Sequence, residues 1–288
     1  MAVTATRDAL RSGRPDQSLR YACPRCRAPI DLSVEDGRCS NCGLQPRRIG
    51  DIFSFANLFE PDQWQKLFED QAAKTVDDTI ATICYRCQIQ HKSMIESFRR
   101  VCTPLPADAR ALDIGCGNGM FWAEVFGTPN VVGVDYSLGM CKLARARGML
   151  ADHANALALP FADAQFDLIY SAEAVQYVPD LPALLAELAR VCRPGGRIVI
   201  STLNRRSALR RAVLAAKAAV GQASENDPVY LRTAGEVAAA AKGLPLSVES
   251  VWWIHFPLPQ LVRTDTARRR FEWLATNVIV GFVKTESH

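Results

Sequence analysis

Three glycines and two acids mark the part of this chain where backbone and side chains could bind a nucleotide. The stretch Ala111–Gly119 reads ALDIGCGNG, so Asp113 precedes glycines at alternate positions. Asp135 follows Asp113 by twenty-two residues, after the apolar run Val131–Val134. Strand, glycine turn, helix, strand and terminal acid is the order by which an open parallel sheet binds a nucleotide. We therefore predict strands that end at the two acids and a helix that opens near Met120.

The spacing of the glycines narrows the kind of nucleotide. A dinucleotide fingerprint reads G-x-G-x-x-G, whereas this loop reads D-x-G-x-G-x-G. An acid before the glycines repels phosphate, but it can pair with an ammonium group directly or through water. That arrangement suits the amino-acid end of S-adenosylmethionine, whose carboxylate can use backbone N–H groups at a helix N-terminus. The glycine loop by itself is also compatible with a tight turn that binds nothing.

Downstream segments resemble a known family. The segment Asn155–Tyr170 resembles the third and fourth motifs of class I methyltransferases, and Arg193–Arg197 resembles the turn before their fifth strand. Residues 106–204 look like the UbiE-type small-molecule branch of that family, with a weaker continuation to the C-terminus. The resemblance implies an α/β fold with a Rossmann-like, seven-stranded sheet that ends in an antiparallel hairpin.

The resemblance also implies roles for individual residues. Asp135 is expected to bind the ribose hydroxyls, and Met140 to flank the adenine. Asn155 stands where the family usually carries Asp, and its carboxamide oxygen keeps an acceptor for the adenine amino group. The predicted residues for binding S-adenosylmethionine are Asp113, Gly115, Cys116, Gly117, Asn118, Asp135, Tyr136, Met140, Asn155, Ala156 and Ser171.

Two residues after the fourth motif are candidates for a catalytic role. Family members place residues that line the methyl-transfer cavity here, often with His where this chain has Gln176 and Tyr177. Tyr177 could orient a substrate or take a proton, or it could fill a cavity wall. Glu173 could bind a cationic substrate, although a solvated loop acid is the interpretation that we favour.

Four cysteines near the N-terminus predict a metal site. Cys23 and Cys26 form one C-x-x-C pair, Cys39 and Cys42 form another, and twelve residues separate the pairs. Two such pairs on short hairpins complete a tetrahedral site of four thiolates, which favours Zn²⁺. Unligated or disulfide-bonded cysteines are the alternative. The segment resembles the zinc ribbon of the small activator subunit of tRNA and translation-factor methyltransferases, and similar ribbons precede bacterial methyltransferase domains.

The predicted organisation has four parts. They are a disordered tail (1–20), a zinc ribbon (21–57), a helical cap or linker (58–105) and the methyltransferase domain (106–288), with a helical insertion at 205–243. Cys84, Cys87 and His91 share one helix face in the cap and could bind a second metal, but burial on that face is favoured. Arg205, Arg206, Arg210 and Arg211 in the insertion could contact phosphates, but a solvated helix face is favoured.

Composition limits the partners. The 288 residues carry a net charge of only +4, and no apolar run approaches the length of a membrane span. The first twenty residues lack the apolar centre of a secretory signal, and the scattered cysteines fit a reducing compartment, so we expect a cytoplasmic protein.

The favoured function is a methyltransferase that acts on a small, partly apolar or aromatic metabolite by in-line transfer to N, O or C. A ribosomal or transfer RNA methyltransferase that grips RNA with the ribbon, and a non-catalytic scaffold, are the alternatives. The oligomeric state is left open.

Overall fold

A computed structural model describes most of the chain. The described residues are 19–32, 37–55, 62–74, 88–102, 104–106, 108–128, 130–221, 230–255, 260–263 and 272–286. The predicted tail up to residue 18, and Cys84 and Cys87 of the predicted cap, lie outside these ranges.

Twelve strands are found within the described ranges. They are β1 (Tyr21–Ala22), β2 (Pro29–Ile30), β3 (Arg47–Ile49), β4 (Ile52–Ser54), β5 (Ala111–Ile114), β6 (Val131–Asp135), β7 (Leu150–His153), β8 (Phe166–Ser171), β9 (Cys192–Leu203), β10 (Leu246–His255), β11 (Gln260–Arg263) and β12 (Ala275–Lys284).

The helices alternate with the central strands, as a parallel sheet requires. They are α1 (Gln63–Lys74), α2 (Gln88–Cys102), α3 (Met120–Val125), α4 (Leu138–Ala146), α5 (Leu181–Val191), α6 (Ala208–Ala219) and α7 (Ala234–Ala240), with a short 3₁₀ turn at Val175–Tyr177. None of the helices in the described part of the chain has the length and hydropathy that a membrane crossing requires.

Ten of the strands form one sheet in the order β11-β10-β12-β9-β8-β5-β6-β7-β4-β3. The strands β9, β8, β5, β6 and β7 run parallel, and β12 lies antiparallel between β9 and β10. The family resemblance implied a seven-stranded sheet, whereas the sheet of the described residues has ten strands, with β4 and β3 beyond β7 and β11 beyond β10. Strand order reverses at β5 and β8, which is where open parallel sheets bind ligands.

The elements around the glycine loop agree with the sequence prediction. Helix α3 begins at Met120, β6 ends at Asp135, and β5 ends at Ile114, one residue beyond the predicted end. Near the C-terminus, β10 and β12 pair in antiparallel orientation, as the family resemblance implied for the end of the sheet.

Side-chain caps fix two helix starts beside the carboxyl ends of the strands. The Ser137 hydroxyl accepts a hydrogen bond from the Met140 backbone N–H at 3.1 Å, so α4 begins immediately after β6. The Asp180 carboxylate accepts one from the Ala183 backbone N–H at 2.9 Å and starts α5. Polar side chains at this position satisfy N–H groups that the first helical turn leaves unpaired.

Two hydrophobic cores cover the two faces of the sheet. Along β6, Val132 and Val134 belong to one core and Val131 belongs to the other, because successive strand residues point to opposite faces. The first core also includes Tyr21, Ile30 and other residues of the N-terminal segment. The N-terminal hairpins therefore share a core with the sheet.

The N-terminal module comprises the hairpins β1–β2 and β3–β4 and the four cysteines between and beside them. Strand β4 pairs in parallel with β7 through Ser54 and His153, and the Phe55 N–H donates to the His153 carbonyl at 2.9 Å. His153 is the buried last residue of β7, and burial lowers the pKa of its imidazole, which contacts the Ser54 hydroxyl at 2.9 Å.

Candidate functional site

A cavity of about 260 Å³ opens at the carboxyl ends of the central strands. Ten of the eleven residues predicted to bind the cofactor line it: Asp113, Gly115, Cys116, Gly117, Asn118, Asp135, Tyr136, Met140, Asn155 and Ala156. Glu173 and Tyr177, the two catalytic candidates, line it as well. The fold thus brings together residues that lie up to 64 positions apart in the sequence.

The glycine loop has a backbone that other residues could not easily adopt. Gly115 and Gly119 have φ angles of +71° and +77°, in the left-handed region. A Cβ atom at Gly115 would lie 2.3 Å from the Ala174 Cβ, and one at Gly119 would lie 3.1 Å from the Ala144 Cα. The glycines therefore allow both the turn and the close approach of the neighbouring segments.

Asp135 holds the glycine loop from the adjacent strand. Its carboxylate accepts hydrogen bonds from the backbone N–H groups of Gly117, at 2.8 Å, and Ser137, at 2.9 Å. Burial raises the pKa of Asp135 to about 6, although these hydrogen bonds act in the opposite direction. The carboxylate faces the cavity, where a ligand hydroxyl could donate a hydrogen bond to it in place of these N–H groups or in addition to them.

Asp113 is the most strongly perturbed acid of the cavity. It is 2% exposed, and burial raises the pKa of its carboxyl to about 8; a hydrogen bond with the buried Tyr170 hydroxyl opposes this increase, and the charge of Asp135 adds to it. Asn118 is 1% exposed, and its Nδ2 atom has no hydrogen-bond partner among the described residues. A buried amide N–H is rarely left unpaired, so this side of the glycine loop is suited to a ligand that supplies an acceptor.

Part of the cavity lining is suited to a flat, apolar group. The buried side chain of Met140 and the segment Ala154–Leu157 both line the cavity. The Asn155 carboxamide oxygen already accepts a hydrogen bond from the Leu157 N–H at 2.8 Å. Its second lone pair remains as an acceptor.

Ser171 does not line the cavity, unlike the other predicted cofactor-binding residues. It is fully buried at the end of β8, and its hydroxyl donates to the Ile114 carbonyl at 2.9 Å. The hydrogen bond ties β8 to the neighbouring β5. The structure therefore gives Ser171 a role in holding the strands and not a surface for a ligand.

Aromatic side chains form a wall beyond the glycine loop. Tyr177 packs against Trp64 and Phe68 of α1, with ring centroids 4.9 Å and 5.2 Å apart. All three rings line the cavity. Tyr177 therefore serves as part of the wall, which was one of its two predicted roles. The apolar spacing of α1 predicted a helix, but not that its rings meet Tyr177.

Glu173 is buried, so the favoured interpretation of a solvated loop acid was wrong. It is 7% exposed and has a φ angle of +61°. The Asn277 amide donates to its carboxylate, and its own N–H donates to the Ser201 hydroxyl at 2.9 Å. Burial raises the pKa of Glu173 to about 7, while Arg210 and Asn277 oppose the increase. A carboxyl in the wall of the cavity can thus exchange a proton near neutral pH.

Glu69 of α1 is a residue that the sequence analysis missed. Its two carboxylate oxygens accept hydrogen bonds from the N–H groups of Leu138, at 2.5 Å, and Gly139, at 3.0 Å, at the start of α4. A Cβ atom at Gly139 would lie 2.7 Å from the Ala72 Cβ, so the glycine permits this close approach. Glu69 thereby fastens α1 across the cavity.

The four predicted metal ligands converge. The sulfur atoms of Cys23, Cys26, Cys39 and Cys42 all lie within 4.8 Å of one another. The separations are 3.5 Å between Cys23 and Cys42 and 3.4 Å between Cys26 and Cys39, which are too long for disulfide bonds. Four thiolates around one Zn²⁺ at about 2.3 Å each stand about 3.8 Å apart, which is close to this arrangement.

The other proposed clusters are explained by pairing. His91 is buried, and its Nε2 atom lies 2.8 Å from the Glu124 carboxylate, so within the described ranges its contact is an ion pair or hydrogen bond. In the basic run, Arg205 pairs with Glu236 and Arg206 pairs with Glu272.

Most of the cavity lining belongs to a segment that matches a known domain, whereas the part contributed by α1 and the residue before it lies outside that segment. Residues 112–200 match the family described as "Methyltransferase domain". A 27-O-demethylrifamycin SV methyltransferase of Amycolatopsis mediterranei is 38% identical over 34% of this chain and 39% of its own length. A malonyl-[acyl-carrier protein] O-methyltransferase of Erwinia pyrifoliae is 37% identical over 48% of this chain and 55% of its own. A demethylmenaquinone methyltransferase of Bacillus licheniformis is 32% identical over 44% and 56%.

The likeness to solved structures concerns the fold. A methyltransferase of Thermotoga maritima, described as a possible histamine N-methyltransferase, covers 69% of this chain and 90% of its own, with a TM-score of 0.55 and 21% identity. A geranyl diphosphate methyltransferase covers 75% and 94%, with a TM-score of 0.51 and 18% identity. The chain spans about half or less of the curated relatives that it matches. Residues 112–200 therefore match a methyltransferase domain, and the solved structures share the α/β fold of the described residues.

Proposed function

We propose that this protein transfers a methyl group from S-adenosylmethionine to a small, partly apolar or aromatic metabolite. The observation that carries the proposal is that the buried Asp113 carboxyl and the unpartnered Nδ2 atom of Asn118 line the same cavity at the glycine loop. An amino-acid group satisfies both, because its ammonium donates to a carboxylate and its carboxylate accepts from an amide.

The remaining lining fits the nucleoside half of the same cofactor. Asp135 would accept hydrogen bonds from the ribose hydroxyls, and Met140 and the segment Ala154–Leu157 would enclose the adenine. When bound, S-adenosylmethionine supplies a methyl group that is already activated by the positive sulfur. The protein then has to hold the acceptor in line and exclude water, which accounts for a large rate gain without a nucleophilic side chain.

The acceptor end supports an apolar or aromatic substrate. The rings of Trp64, Phe68 and Tyr177 offer flat surfaces, and Glu173 is the ionisable group beside them. With a pKa of about 7, Glu173 can accept a proton from an acidic hydroxyl, amine or carbon acid as the methyl bond forms. Three relatives are named for 27-O-demethylrifamycin SV, malonyl-[acyl-carrier protein] and demethylmenaquinone, so the acceptors in the names of these relatives are varied.

The RNA alternative has less support. The run that could have contacted phosphates contains Arg205 and Arg206, and both side chains form ion pairs with Glu236 and Glu272. Paired arginines contribute less to the counterion release that drives nucleic-acid binding. RNA affinity with a steep dependence on salt would restore this alternative.

We also propose that the four cysteines hold one Zn²⁺ that stabilises the N-terminal module. The module has two hairpins of two or three residues a strand, so metal ligation would contribute much of its stability. Replacement of Cys39 by Ser should reduce the zinc content from one ion per chain towards none, as measured by mass spectrometry under native conditions. A folded wild-type chain purified without metal contradicts this.

Calorimetry with S-adenosylmethionine and S-adenosylhomocysteine tests the cofactor assignment. Asp135→Ala should abolish detectable binding, because the variant loses the carboxylate proposed to bind the ribose and also loses its hydrogen bond with the glycine loop. Glu96→Gln, on the exposed surface of α2, is the control and should bind as the wild type does. Equal affinities of Asp135→Ala and wild type would refute the site.

A further inference from the structure

The N-terminal module contacts the chain segment that follows the cavity lining. Tyr21 of β1 pairs with Phe161 in an antiparallel bridge, and the Ala22 N–H donates to the Pro160 carbonyl at 3.1 Å. On the other side of Phe161, the Ala162 N–H donates to the Arg20 carbonyl at 3.0 Å. The module is thus joined by backbone hydrogen bonds to residues that lie three to five positions after Leu157, a wall of the cavity.

The start of the same segment is also held by the module. The Tyr21 hydroxyl donates to Asp152 Oδ2 at 2.7 Å, and the Phe53 N–H donates to Oδ1 of the same carboxylate at 3.2 Å. Asp152 is two residues before Ala154, which lines the cavity. Residues 152–162 are therefore bracketed by module contacts at both ends.

One side chain links the turn that carries Cys23 and Cys26, here called the knuckle, directly to this segment. Arg27 follows the ligand Cys26 and has a φ angle of +64°, a conformation set by the knuckle, where its N–H donates to the Cys23 carbonyl at 2.8 Å. Its guanidinium donates to both carboxylate oxygens of Glu187 on α5, at 2.7 Å and 3.0 Å. Two parallel bonds of this kind fix orientation as well as distance.

Glu187 passes this constraint to the backbone beside the cavity. It is 5% exposed, and its Oε1 atom accepts a hydrogen bond from the Leu159 N–H at 2.6 Å. The Leu159 carbonyl in turn accepts from Arg27 at 3.4 Å and from Arg190 at 3.1 Å. Both polar backbone atoms of Leu159 are thus held by one ionic cluster.

From these contacts we propose that the metal-loaded module braces residues 152–162 and thereby sets the affinity for the nucleoside half of the cofactor, with Arg27 and Glu187 as positioning residues. The inference rests on the proposed function. Without metal, the turn at Cys23–Arg27 loses the ligation that holds Arg27 at a positive φ angle, a conformation that is unfavourable for residues other than glycine. Loss of that geometry would release Leu159 and the nearby cavity wall.

The chain offers a matched pair of variants. Arg27→Met removes the two hydrogen bonds from the guanidinium to Glu187. The buried Glu187 carboxylate keeps its ion pair with Arg190, at 2.8 Å, so it is not left without a cationic partner. Arg25→Met removes an exposed arginine from the same knuckle and is the control for charge. Arg27→Lys keeps the charge but cannot make the two parallel bonds.

Binding and local exchange would be measured on the zinc-loaded full chain. For Arg27→Met, we expect the dissociation constant of S-adenosylhomocysteine to rise about five- to tenfold, with an intermediate rise for Arg27→Lys and none for Arg25→Met. Amide hydrogens of residues 155–162 should exchange faster in Arg27→Met, while those of β5 and β6 should be unchanged. If Arg27 contributed only to overall stability, amide exchange would become faster in β5 and β6 as well as in residues 155–162.

Failure of this inference can be distinguished from failure of the proposed function. An Arg27→Met chain with one zinc, the wild-type melting temperature, wild-type affinity and wild-type exchange at 155–162 would overturn the inference alone. Wild-type protein that fails to bind S-adenosylhomocysteine would overturn the proposed function. In that case the exchange comparison still decides whether the brace exists, since it needs no ligand.

Discussion

The hold of Glu69 on α4 can be tested without knowing the substrate. Glu69→Gln keeps the size of the side chain, but it removes the charge and leaves one acceptor oxygen for the two N–H groups of Leu138 and Gly139. The start of α4 also carries the positive end of the helix dipole, which favours a negative partner. The variant should therefore loosen α1 where it crosses the cavity.

The size of the effect follows from the geometry. A hydrogen bond to a charged group contributes about 1.5–3 kcal/mol, and the partial exposure of Glu69 places the loss near the lower end, at about 1.5–2 kcal/mol. Since each 1.4 kcal/mol is a factor of ten, local opening of α1 should become roughly 10- to 30-fold more frequent. Hydrogen exchange of the amides of Gln63–Lys74 measures that opening directly.

Asp70 provides the control on the same helix. Its exposed side chain lies next to Glu69 in sequence, and Asp70→Asn makes the same change of charge, with less than about a twofold effect expected on exchange. If Glu69→Gln and Asp70→Asn change the exchange of α1 equally, the two hydrogen bonds do not fasten the helix and the reasoning fails.

Two further predictions concern stability. Gly115→Ala combines a φ of +71° with a Cβ contact of 2.3 Å, so it should lower the free energy of unfolding in urea by about 2–4 kcal/mol. Gly148→Ala, at φ +91° with open space around it, should lower it by about 1–2 kcal/mol. Equal losses would contradict the packing argument. The folded-state pKa of Glu173 is raised from 4.5 to about 7, so the folded state binds a proton that the unfolded state has released, and stability falls as pH rises from 4.5 to 7. Glu173→Gln should remove a decrease on the order of 3 kcal/mol from the pH profile of unfolding, and identical profiles for variant and wild type would show that Glu173 does not titrate in this way.

The part of the cavity around the glycine loop was predictable because its signals are local in sequence. Asp113 and the glycines lie within seven residues, and Asp135 follows one helix later. The parallel strand order then brings these residues together at one edge. Ten of the predicted lining residues consequently face one cavity.

The residues that sequence analysis missed or misassigned depend on long-range contacts. Glu69 meets α4 about seventy residues later, and the partner of Glu173 is Asn277, 104 residues away. Nothing adjacent to Glu173 signals burial, since its neighbours resemble those of an ordinary loop. Ser171 has the family position, but its hydroxyl bonds to Ile114 on the next strand.

The N-terminal hairpins also change the exposure of the sheet margin. Without β4 and β3, β7 would present unpaired N–H and C=O groups along its outer side, and such margins recruit strands from other molecules. With them in place, the margin passes to β3, a strand of three residues that carries Arg47 and Arg48. A chain shortened to begin after residue 57 should thus be prone to self-association, whether or not it keeps its methyl-transfer activity.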